Sequence, residues 1–127
     1  MKIISLKIVV VICLFLLPIA NFSQVYKDQF AHTFSIVARD TVTGEMAVGV
    51  QSHWFSVGSI VSWGKSGVGV VATQSFVNPA YGPQGIQLME EGNSAEEALE
   101  NLVSKDNGKD VRQVAMLDSN GNSAAFT

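Results

Sequence analysis

The sequence predicts an α+β fold, with mostly antiparallel sheets and helices packed on them. Three observations carry this. Stretches rich in β-branched residues fall into two groups, before residue 75 and after residue 112. Between them lies an amphipathic helix opened by a capping signal, Ser94-Ala-Glu-Glu97. Near the end, Ser119-Asn-Gly-Asn122 separates two short apolar runs, which is hairpin chemistry. Segregated strands and helices favour an antiparallel sheet with helices on one face. The expected order is β-β-β-α-α-β-β.

The chain begins with what reads as a signal peptide, residues 1–23. Lys2 and Lys7 give a basic start, and Ile8–Ala20 is an apolar run of thirteen residues broken by Pro18. A membrane span needs about 20 apolar residues, so the run suits a cleavable export signal. Cleavage is expected after Ser23, with Ala20 as second choice; an uncleaved anchor is the other reading. Residues 24–32 have no clear period and read as a spacer or propeptide.

Thr33–Asp40 and Glu45–Ser52 form the first hairpin, joined by Asp40-Thr-Val-Thr-Gly44. Small apolar groups on both faces suggest a sheet covered on both sides. Residues 53–67 are Gly- and Ser-rich and read as a connection, with room for a short strand at Ser59–Trp63. Val68–Gln74 is the third clear strand. A first helix is expected from Pro83 to Glu91, stopped by Gly92-Asn93. The second has Ala95, Ala98, Leu99, Leu102 and Val103 on one stripe. Arg112–Asp118 and Ser123–Thr127 complete the set.

Removing residues 1–23 leaves six basic against eleven acidic residues, a formal charge of 6 − 11 = −5. No basic run remains, which argues against a nucleic-acid partner. No stable membrane span is expected after signal cleavage. The one cysteine, Cys13, leaves with the signal, taking with it any disulfide, thiol nucleophile or thiolate metal site. His32 and His53 are the only histidines, and neither has carboxylates at ligand spacing. No metal or cofactor is expected. Glu90-Glu91 and Glu96-Glu97 are adjacent on helices and diverge, so they are not an acid/base pair.

Several stretches taken together resemble a known family: Thr33-Phe-Ser-Ile-Val-Ala-Arg-Asp40, Val48-Gly-Val-Gln-Ser52, Gly67-Val-Gly-Val-Val-Ala-Thr-Gln74 and Asn78-Pro-Ala-Tyr-Gly-Pro83. They resemble domain of unknown function 1028, a family placed among the N-terminal-nucleophile (Ntn) hydrolases. The resemblance runs over residues 33–127. It implies a four-layer αββα sandwich and hydrolysis of an amide bond in an unidentified small-molecule or peptide substrate. Such members continue past Thr127, so residues 33–127 correspond to the N-terminal part of the sandwich.

In Ntn hydrolases the first residue of the mature chain supplies both nucleophile and base. By family position that residue is Thr33, as nucleophile and, through its free amine, as base. A second cleavage, after His32, is required to free the amine. As a plain strand residue threonine is equally at home. Ser35 shares its strand face. Arg39 sits where it can pair with Asp40 or hold the hairpin, and Gln51, Ser52 and Gln74 lie at strand ends suited to a cleft. Gln74 and Asn78 are candidate oxyanion donors. For each, a polar residue satisfying loop backbone is the competing reading. The alternative function is a non-catalytic exported binding or scaffold domain, or a truncated inactive relative; an unfinished sheet would favour oligomerisation through its edges.

Overall fold

The computed structural model describes residues 33–127. The expected signal peptide and spacer lie outside the described residues. The hairpin strands are β1, Phe34–Arg39, and β2, Met46–Gln51, antiparallel with Phe34 opposite Gln51 and Arg39 opposite Met46. Asp40 makes the turn between them. Its Oδ1 accepts the Val42 and Thr43 N–H groups at 2.7 and 2.8 Å, and Gly44 takes φ +75°, where a side chain would strain.

After β2 the order departs from expectation. A single helical turn, α1 (Gly58–Val61), leads into a strand, β3 (Ser62–Lys65). The observed order is therefore β-β-α-β-β-α-α-β-β. Ser62-Trp-Gly-Lys65 has little strand propensity of its own. It is ordered by pairing with β4 (Gly69–Ser75), Trp63 facing Val71.

Helix α2 spans Tyr81–Glu90, starting two residues before Pro83. The proline sits in the first turn, where its missing N–H has no helical partner to lose. α2 lies close to the sheet because it turns glycines toward it. A Cβ on Gly82 would fall 2.2 Å from the Trp63 ring, and one on Gly85 would fall 2.9 Å from Met116.

Helix α3, Ala95–Val103, has the capping box the sequence announces. The Glu97 N–H donates to Ser94 Oγ, and the Ser94 N–H donates back to Glu97 Oε2 at 2.8 Å. All five residues of the predicted stripe are buried.

A 3-10 turn at Lys109–Val111 precedes β5 (Arg112–Asp118) and β6 (Ser123–Phe126), which form the expected hairpin. Strands β3-β4-β5-β6 make one antiparallel sheet and β1-β2 another. α2 and α3 cover one face of the larger sheet, and the β1–β2 hairpin packs on its other face. The result is an α+β stack of three layers: helices, four-stranded sheet, hairpin. β4 is buried through Gln74, so it, rather than the first hairpin, is the strand covered on both sides. On β1 the pattern alternates. Phe34 and Ile36 on the outer face are each 61% exposed. No helix among the described residues is long and apolar enough to cross a membrane.

Candidate active site

Successive residues of β4 look in opposite directions. Val71 joins the helix-side core with Leu99, Val114 and Met116. Ala72 and Gln74 face the hairpin, where they line a cleft of about 220 Å³ with Thr33, Ser35, Gln113 and Thr127. The register explains this grouping. Gln74 lies opposite Gln113, and β1 crosses above them with its odd-numbered residues turned inward.

Thr33 stands at the head of β1, one step beyond the Phe34–Gln51 pair, which sets it against Ser52. The two hydroxyl oxygens are 2.8 Å apart, and either can donate. Ser52 is held in turn by the Trp54 N–H, which donates to its Oγ at 3.1 Å. Thr33 thus has an oriented hydroxyl, while Ser52 is no base at neutral pH.

Below it, Gln74 is only 5% exposed and its Nε2 has no hydrogen-bond partner. A buried donor left unpaired costs about 1–3 kcal/mol, so this one marks a place where an acceptor fits. The neighbouring Gln113 Nε2 reaches Thr127 Oγ1 at 3.5 Å. None of the side chains lining the cleft is ionisable.

With this geometry in hand, the comparisons are specific. Residues 33–127 match the model of a family of unknown function, DUF1028. The chain belongs to the DUF1028 family. The crystal structure of protein SPO2555 from Silicibacter pomeroyi, of the same family model, is 34% identical with a TM-score of 0.71. The match covers 75% of this chain and 42% of that one, so this DUF1028 chain spans less than half the length of that protein. No curated protein matches.

The structure brings Thr33, Ser35, Ser52 and Gln74 together, and separates the other expected site residues of this DUF1028 chain. Gln51 lies opposite Phe34 on the outward face of the hairpin and is exposed, so it does not line the cleft. Arg39 is at the far end of β1, roughly 20 Å along the strand at about 3.3 Å per residue. Its guanidinium lies beside Gly44 and Gly121 of two turns, with Nε buried and unpaired. Asn78 accepts the Ala80 N–H at 3.1 Å and lines a separate cleft of about 390 Å³ beside α2. It cannot serve Thr33 from there.

Two features escaped the sequence reading. The cleft residues Gln113 and Thr127 become visible only through the β4–β5–β6 register. The second is a polar knot around Asp106, whose Oδ2 accepts from Tyr81 Oη and Arg112 Nε, both at 2.8 Å. The Arg112 guanidinium, then the Gly108 N–H and the Tyr81 hydroxyl, hold the Asp106 carboxyl well below its ordinary range. Burial, reinforced by Asp106, pushes the Tyr81 hydroxyl up to about 12. This knot ties the loops at residues 76–81 and 104–112 and lies outside the Thr33 cleft.

Proposed function

We propose that this DUF1028 chain is the N-terminal part of an exported N-terminal-nucleophile amidohydrolase built on an αββα sandwich, with Thr33 as nucleophile. The observation that carries the reading is the Thr33 hydroxyl, oriented by Ser52 at 2.8 Å over a cleft with an unpaired amide donor. A threonine hydroxyl attacks a carbonyl only when its proton is removed. No cleft side chain is a base. An α-amine on Thr33 itself, with a pKa of about 7.7–8.0, fills that gap once the chain is cut after His32. The hydroxyl then attacks the amide carbon, Gln74 Nε2–H donates to the developing oxyanion, and water cleaves the acyl ester.

N-terminal sequencing with intact mass of the protein recovered from the exported fraction tests the processing. A chain beginning at Thr33 supports the mechanism; one beginning near Gln24 leaves the amine blocked and removes it. Thr33→Ala in the processed protein should abolish amidase activity with an unchanged circular dichroism spectrum. Activity surviving that change ends the reading.

The exposed outer face of the hairpin, with Phe34 and Ile36, favours a second reading, a non-catalytic binding or scaffold domain that docks through this face. It expects concentration-dependent association. A monomeric, cooperative melt at all concentrations counts against it.

A further inference from the structure

The cleft under Thr33 combines three properties seldom needed together. Its lining carries no ionisable side chain. It holds a glutamine amide, nineteen-twentieths buried, whose nitrogen is unpaired. Its volume, about 220 Å³, is room on the order of seven water-sized groups at roughly 30 Å³ each. From these we infer that the cleft admits a small uncharged arm ending in a carboxamide, the size of a glutamine side chain, and turns away the corresponding carboxylate.

The selectivity follows from desolvation. A neutral amide entering the cleft loses its water but gains the Gln74 N–H for its carbonyl oxygen, so both partners end satisfied. A carboxylate of the same shape brings a full charge into a place without a cation, which costs several kcal/mol more. Thr33 and Ser35 on one wall, with Gln113 on another, supply further neutral hydrogen-bonding groups. Nothing there compensates a charge.

This deepens the hydrolase reading and rests on it for the chemistry that follows binding. The amide C–N bond breaks as the Thr33 Oγ–acyl bond forms, and the hydroxyl proton leaves with the nitrogen as ammonia. Water then adds to the ester, returns a proton to Oγ and releases the acid. At neutral pH that product ionises, and the same uncharged walls that admitted the substrate expel it. The substrate class is therefore a neutral primary amide, with little inhibition by product.

The test titrates N-acetylglutamine methylamide and N-acetylglutamate methylamide into the isotope-labelled full chain, following the Gln74 side-chain amide signal by NMR. The glutamine probe should shift that signal saturably, and the glutamate probe should need at least about tenfold more, equivalent to about 1.4 kcal/mol. Gln74→Leu should lose the response at the Gln113 backbone. Equal half-saturation for the two probes, a tighter glutamate, or an unchanged response in Gln74→Leu overturns the inference. If Gln74→Leu does not fold, the two-probe comparison on the unaltered chain decides alone. Ammonia release from the processed protein separates this inference from the hydrolase reading. Selective binding without any release ends the hydrolase and leaves the cleft's selectivity standing. Equal release from neutral and acidic amides does the reverse.

Discussion

The two faces of the four-stranded sheet are built from alternate residues of the same strands, yet they solve different problems. Toward the helices, Val71, Val114 and Met116 meet Leu99, Leu102 and Val103 in a core without polar loose ends. Even Thr73 on that side is satisfied, its hydroxyl donating to the Ile60 carbonyl at 2.8 Å. Toward the hairpin, Ala72, Gln74, Gln113 and Ala115 are small or carboxamide-bearing, and they leave a cleft. Side-chain size and polarity, changing with period two, separate a face that stabilises from a face with room for a ligand.

The largest effect should come from the helix side. Leu99 is buried on the stripe of α3, and Leu99→Ala should destabilise by about 2–5 kcal/mol through lost transfer energy and a residual cavity. Urea unfolding with an unchanged slope would report it. A loss under about 1 kcal/mol would mean that this face is not the core.

Next in size is Asp118, which joins that core to the β5–β6 turn. Its buried carboxylate accepts the Asn120 and Asn122 N–H groups at 2.9 Å, the Asn122 side-chain amide at 2.8 Å and the Ala95 N–H of α3 at 3.2 Å. Burial alone would raise its pKa; these hydrogen bonds, the Asn122 side chain first, outweigh it and hold the group below its ordinary value. The folded pKa is the lower one, so the stabilisation is complete above the unfolded value of about 3.9 and disappears as pH falls through the folded value. Asp118→Asn should cost about 1.5–3 kcal/mol at pH 7 and flatten the loss of melting temperature below about pH 4. The slope should not vanish, because the Asp106 carboxyl is also held low. A variant with an unaltered acid limb would remove Asp118 from the account.

What the sequence made legible is what local chemistry decides. The Ser94–Glu97 capping box, the stripe behind it, the Asp40 turn and the hairpin about Asn120-Gly121 depend on residues within a few positions of one another, and all are found. β3 was missed because Ser62–Lys65 becomes a strand only by pairing with β4. At the candidate site the limit was parity. Gln51, Gln74 and Asn78 are all polar residues near element ends, and only register shows that Gln74 faces the cleft while Gln51 faces outward. The Tyr81–Asp106–Arg112 knot joins residues far apart in the chain, and no local signal marks it.

The smallest expected change bears most directly on the contrast between the faces. Gln74 sits at the junction of a packed strand and an open cleft, and its unpaired Nε2 works against folding. Gln74→Leu removes that donor and keeps much of the volume, so the domain should gain about 1 kcal/mol, the low end of the penalty for an unsatisfied buried group. The same change on the helix side has no such penalty to relieve. A gain in stability coupled to loss of carboxamide binding would mark Gln74 as a residue kept for its ligand, since sites that bind are commonly held at the expense of the fold. A loss of stability would mean that Gln74 serves the packing of the hairpin on the sheet, and the two faces would then differ in composition but not in purpose.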